Sequence, residues 1–148
     1  LMQGARVHAG TQDGFNAKKI IEQGVRNGND INALASSADR SVWIMVWNYH
    51  DDNQKGGNAT VELDIKNLST KKVLVHHYRV DHQYSNSFEK WKSIGSPQQV
   101  NDHQYQDLER SGQLELFKAP GWATVANAKL TQKFDLPFQG VSLIHLSW

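Results

Sequence analysis

The run Ser41–Tyr49 reads Ser-Val-Trp-Ile-Met-Val-Trp-Asn-Tyr and is apolar on both sides of a two-residue repeat. Successive side chains of a strand point to opposite faces, so Val42, Ile44 and Val46 share one face and Trp43, Met45 and Trp47 the other. Such a strand is expected at the centre of a sheet, covered on both sides. Val61, Leu63 and Ile65 instead alternate with Glu62, Asp64 and Lys66, which predicts a strand with one wet face. The polar, glycine-bearing stretch Asp51–Asn58 between these runs reads as a hairpin connection.

Val73–Val80 is β-branched and aromatic enough for a further strand, and Leu130–Leu136 and Val141–Trp148 add two more around Pro137-Phe138-Gln139-Gly140. Shorter candidates are Arg6–Ala9, Ile31–Ala35, Leu114–Phe117 and Thr124–Ala126. About eight strands with no βαβ rhythm predict a mainly β fold, an antiparallel β-sandwich forming one domain over residues 1–148.

Two short helices are expected within one excursion between strands. Tyr84, Phe88, Trp91 and Ile94 line one helical face, with Asn86 and Glu89 spaced as a capping box and Gly95 and Pro97 as stop signals. The second helix is expected over Asp102–Ser111. Asn101 and Gln104 cap it, Val100 and Tyr105 sit at staple positions, and Gly112 suits a left-handed end.

Composition excludes several classes. A chain of 148 residues with 39% hydrophobic and 21% charged residues can bury a core, and it has no apolar run long enough to span a bilayer. A formal charge of +1 gives no reason to expect nucleic acid or an anionic membrane as partner. Cysteine is absent, which removes disulfides and thiolate metal sites. The start, Leu1-Met2-Gln3-Gly4, lacks an initiator methionine and a signal-peptide pattern, as expected of a fragment of something longer.

Candidate chemistry is thin. The seven histidines (His8, His50, His76, His77, His82, His103 and His145) show no helical i, i+4 pair, and adjacent His76 and His77 point to opposite faces. No metal ligand is therefore assigned, and no cofactor. Asp51, Asp52 and Asn53 form an acidic oxygen cluster, but calcium needs six or more oxygens and a solvated loop tip explains it better. Glycoside hydrolysis needs two matched carboxylates; of Glu22, Glu62, Glu89, Glu109 and Glu115, Glu62 falls on the wet face of a strand and Glu89 and Glu109 on helix surfaces, and nothing pairs two of the five. There is no Gly-x-Ser-x-Gly elbow and no phosphate loop, so no catalytic residue is assigned. Of the five tryptophans, Trp43, Trp47, Trp91 and Trp148 read as core. Only Trp122, after Pro120-Gly121, is a candidate exposed platform for a sugar ring.

One constellation is more specific. Tyr78-Arg79-Val80-Asp81 is followed by Ser85-Asn86-Ser87-Phe88, Trp91 and Gly95-Ser96-Pro97-Gln98, then Gly112-Gln113-Leu114-Glu115-Leu116. Leu136-Pro137, Gln139–Ile144 and Trp148 close the pattern, and Gly24-Val25-Arg26, Ile31–Ala35 and Val46–Asp52 precede it. In order and spacing, over nearly the whole chain, these residues resemble glycoside hydrolase family 39, the β-xylosidases. The resemblance implies the C-terminal β-sandwich that packs beside a (β/α)8 barrel, the barrel holding both catalytic glutamates, one of them in Asn-Glu-Pro. No position here matches either glutamate motif. The implied parent hydrolyses xylo-oligosaccharides with retention, in a bacterial periplasm, exterior or cytoplasm. The rival expectations are a carbohydrate-binding module with its own xylan site and, less favoured, a free-standing interaction domain.

Overall fold

The computed structural model describes residues 2–52 and 56–148. Its chain order is β1 (Ala5–Val7), α1 (Ala17–Gln23), β2 (Asp30–Ala38), β3 (Ser41–Tyr49), β4 (Ala59–Lys66) and β5 (Lys72–Val80), then α2 (Ser87–Ser93), α3 (Asp102–Ser111), β6 (Glu115–Thr124), β7 (Lys129–Leu136) and β8 (Gly140–Ser147). The fold is mainly β, with eight strands in antiparallel sheets.

A six-stranded sheet runs β1-β2-β3-β8-β5-β6, and a two-stranded ribbon, β4-β7, lies over one of its faces. The doubly apolar β3 does take an interior place, paired along its length with β2 and with β8. Its Ile44 and Val46 meet Val73 and Val75 of β5, Ile144 and Leu146 of β8, and Val61, Ile65, Leu130 and Leu136 of the ribbon. The ribbon itself is one-sided: Val61 and Ile65 are buried while Glu62, Asp64 and Lys66 face water.

Four expectations change. Residues Asp51–Asn58 do not close a hairpin, because β3 bonds to β2 and β8 whereas β4 bonds only to β7. The connection crosses between sheets, as it must when a two-sided strand belongs in one layer and an amphipathic strand in the cover. Residues 53–55 of that stretch lie outside the described residues. In place of the separate strands expected at Leu114–Phe117 and Thr124–Ala126 there is one strand, β6, which runs through Pro120 and stops at Thr124, with Ala126 bridged to Lys129 beyond it. Proline is tolerated there because β6 is an edge strand, and register shifts between Val75 and Tyr78 absorb the irregularity.

A third helix, α1, joins the two expected ones. Asn16 caps it by accepting from the Lys19 amide, and Gly24 ends it at φ 67°, a conformation that suits glycine. Gly112, after α3, has φ −87° and is not left-handed. Its amide reaches the last carbonyls of the helix from an ordinary helical conformation. The capping box of α3 forms in both directions, Gln104 N–H to Asn101 Oδ1 at 2.9 Å and Asn101 N–H to Gln104 Oε1 at 3.0 Å. Asn86 caps α2 through the Glu89 amide at 3.1 Å.

Candidate functional site

The residues of the Arg79–Asn86 constellation meet at one end of the sandwich, and their polar groups are spent on structure. Alternation along β5 sends Val75, His77 and Arg79 inward and His76, Tyr78 and Val80 outward. Arg79 is only 1% exposed. Its Nη2 donates to the Asp135 carbonyl at 2.9 Å, its Nη1 lies 3.5 Å from Asp81 Oδ2, and its guanidinium sits 4.2 Å over the Phe117 ring. Burial pulls the guanidinium pKa down, and the Asp81 charge opposes that pull. Asp81 Oδ1 in turn accepts from the amides of Gln83 and Tyr84, starting the tight turn into α2. Ser85 Oγ donates to the Arg79 carbonyl and accepts from the Glu115 amide, while Asn86 Nδ2 donates to the Asp81 carbonyl. The motif is a clasp that fixes where the two helices leave β5 and where the chain returns as β6.

His77 lies beside this clasp. Its Nε2 is 2.9 Å from Ser142 Oγ, and its ring contacts Phe117 and Phe134 with centroids 4.9 and 4.8 Å away. Burial, followed by the charges of Arg79 and Lys118, lowers its pKa to about 4. His77 is a neutral core residue at ordinary pH.

Against the clasp lies a polar depression of about 260 Å³ that includes His82, Asn86, Glu89, Lys90 and Glu115 in its lining. It brings two glutamates into one wall, the arrangement a glycosidase would need. Glu115 is exposed, however, and Glu89 is paired with Lys92 at 2.6 Å. Neither is withheld from water as the general acid of a glycosidase is. The remaining glutamates are elsewhere: Glu62 pairs with Lys133 at 2.7 Å, Glu22 stands 3.9 Å from Lys18, and Glu109 is exposed on α3.

Asp51 is also committed. Its Oδ2 accepts from the Val25 amide at 2.8 Å and lies 3.7 Å from Arg26 Nε, tying the segment after α1 to the end of β3. His50 joins the same junction, with Nε2 3.0 Å from the Arg26 carbonyl and Nδ1 accepting from the Asp52 amide. Asn53 lies outside the described residues. Among the described residues, no three His, Asp or Glu side chains converge as a metal set would.

Trp122 is 68% exposed, on β6 rather than in the turn expected for it, and opposite Leu74. Trp43 is buried, and Trp91 is half-buried with its indole N–H on the Pro97 carbonyl. Trp47 donates to Asp30 Oδ2 at 2.8 Å, and the same buried carboxylate accepts from the Phe15 amide.

A second hollow passed unnoticed in the sequence. It is an apolar groove of about 320 Å³ formed by Met45, Trp47 and Tyr49 of β3 and Val141 of β8, with Asn48, Gln139 and Gly140 at its margin. Met45 and Trp47 are both on the second face of the Ser41–Tyr49 run. Their signal was present in the alternation, but nothing local said that the second face would form a hollow.

No family model matches the chain, and no curated protein matches it. Solved structures do. A family 39 glycoside hydrolase from Xanthomonas axonopodis pv. citri superposes with a TM-score of 0.67 at 13% identity over 78% of this chain and 25% of that one. A monomeric β-xylosidase from Caulobacter crescentus gives 0.63 at 16% identity, over 78% and 26%. A bacterial orthologue of human α-L-iduronidase gives 0.66 at 16% identity, over 80% and 22%. At such identities the likeness establishes a shared fold. The chain spans about a quarter of each neighbour, so it has the architecture of one part of these glycoside hydrolase chains.

Proposed function

We propose that the chain is the accessory β-sandwich of a β-xylosidase-like glycoside hydrolase, seated against a catalytic (β/α)8 barrel of the same parent and without catalytic activity alone. The observation that carries this reading is the state of its acids. The two glutamates that share a depression are solvated or ion-paired, while the fold matches a quarter-length portion of glycoside hydrolases. Hydrolysis with retention requires two carboxyl groups about 5–5.5 Å apart, one of them kept protonated by its surroundings. By its resemblance to family 39, the parent would supply that pair from its barrel and act on xylosides. The purified chain is expected to leave an aryl β-xyloside intact, while the whole parent turns it over with retained configuration. Turnover by the chain alone, lost in Glu89→Gln or Glu115→Gln, would reverse the assignment.

The exposure of Trp122 favours a second reading, a carbohydrate-binding module with one aromatic platform. It requires retardation in xylan affinity gels that Trp122→Ala abolishes. Unchanged mobility of the unaltered chain removes it.

A further inference from the structure

Asn27 is followed by Gly28, and no other asparagine of the chain precedes a glycine. The pair lies in the bend between α1 and β2, with both residues exposed. Each flank of the bend is anchored. The Val25 amide donates to Asp51 Oδ2 at 2.8 Å, the Asp51 amide donates to the Val25 carbonyl at 2.9 Å, and His50 Nε2 lies 3.0 Å from the Arg26 carbonyl. On the other side the Asp30 carboxylate accepts from the Phe15 amide and the Trp47 indole, and Asp30 opens β2 opposite Tyr49. Between these anchors the Asn27 side chain and the Gly28 amide have no hydrogen-bond partner among the described residues. Gly28 holds φ 124°, a conformation that suits glycine alone, so the bend itself requires the residue that crowds an approaching group least. An unhindered amide nitrogen thus stands next to an uncommitted side-chain amide, with water on both.

We propose that Asn27-Gly28 is a site of spontaneous deamidation, with water as the only co-reactant, and that the isoaspartate formed there loosens the junction between α1 and the end of β3. The Gly28 nitrogen, giving its proton to a solvent base, bonds to Asn27 Cγ. The Cγ–Nδ2 bond breaks, Nδ2 leaves as ammonia, and a cyclic succinimide remains. Water then opens the ring at either carbonyl. Attack at Cγ breaks its bond to the Gly28 nitrogen and leaves aspartate in an unchanged backbone. Attack at the main-chain carbonyl breaks the peptide bond and leaves isoaspartate, whose chain runs on through Cγ and is longer by one backbone carbon. Nothing is oxidised or reduced, and either product takes the formal net charge from +1 to 0. The added carbon enters a short span with both ends anchored, so the bonds of Val25 and Arg26 to His50 and Asp51 must yield to fit it. Other asparagines are less open to the reaction. Asn58 is exposed but precedes Ala59, whose Cβ crowds the attacking nitrogen, and Asn16, Asn86 and Asn101 have Oδ1 committed as helix caps.

The folded 148-residue chain is incubated in mildly alkaline buffer, and isoaspartate is located by peptide mapping with enzymatic carboxyl methylation. Product is expected at Asn27 before any other asparagine, Asn58 included, and its loss is expected in Asn27→Gln, a change at an exposed side chain without partners. A parallel incubation in urea follows the unfolded chain. Asn27 that stays intact in the folded chain while reacting in urea, or a folded chain that reacts first at Asn58, overturns the site. Ion exchange then separates the isoaspartyl fraction, and amide hydrogen exchange reads the local opening of the junction. The Val25 and Asp51 amides are expected to exchange faster in this fraction than in the fresh chain, and faster than in Asn27→Asp, which has the new charge without the added carbon. Exchange no faster than in Asn27→Asp overturns the loosening.

Discussion

The two faces of the six-stranded sheet are made by alternate residues of the same strands, and they have been finished to different degrees. On the inner face, Leu146 and Val73 are fully buried and Ile144 nearly so, held under the β4-β7 ribbon. The polar residues there are partly provided for: His77 has Ser142, and Arg79 has Asp81 and the Asp135 carbonyl, while Arg79 Nε and Asn48 Oδ1 have no partner among the described residues. On the outer face Leu143, Met45 and Tyr78 remain half-exposed, and Ser36, His76 and His145 have shielded atoms with nothing to bond. Alternation fixes which residues share a face. It does not fix how many layers one chain can provide.

The difference can be broken or sharpened by mutation. The largest effect is expected at the clasp, where Asp81→Ala leaves the Arg79 charge buried and frees the turn into α2. Removing one partner of a buried ion pair costs about 3–5 kcal/mol, and urea unfolding measures it. A similar loss of about 3–5 kcal/mol is expected for Leu146→Ala on the inner face. Leu143→Ala, three positions earlier on the outer face, should cost less than half as much. Equal losses would mean that the two faces do not differ in burial as described.

The inner histidine sets the next effect. The folded pKa of His77 is about 4, below the 6.5 of an unfolded histidine, so between these values the unfolded chain binds more protons. Stability therefore rises with pH across that window and is lost on acidification, by about 3 kcal/mol between pH 7 and pH 4. Urea midpoints measured across this range should flatten in His77→Gln.

The smallest effect is a gain. The turn from β6 into the ribbon places Asn127 at φ 50° and Ala128 at φ 56°. Asparagine tolerates that conformation and alanine does not, so Ala128→Gly should stabilise the chain by about 1 kcal/mol, readable as a raised melting temperature.

Strand β3 was legible to the residue because nine consecutive positions obey one period. β4 was legible because its charges alternate cleanly, and α3 because Asn101 and Gln104 announce its first turn. Helix α1 was not. It is seven residues long, has no buried position and leaves Ile21 almost wholly in water, so no periodic apolar stripe betrays it. β6 was split by reading Pro120-Gly121 as a turn, a rule that fails on a sheet edge. The placing of β3 and β4 in different sheets is a tertiary choice that no local pattern encodes. At the site, the spacing of Arg79, Asp81, Ser85 and Asn86 was conspicuous, yet its work as a clasp appears only when the Glu115 amide arrives from 30 residues away to bond Ser85.

Pro120 has a consequence beyond tolerance. It lies in β6, which closes one margin of the large sheet, while the other margin is β1, only three residues long. A strand with a missing donor in its ladder, and a stub too short to template another, both resist recruiting foreign strands. The margins of the large sheet are thereby guarded against fibrous self-assembly.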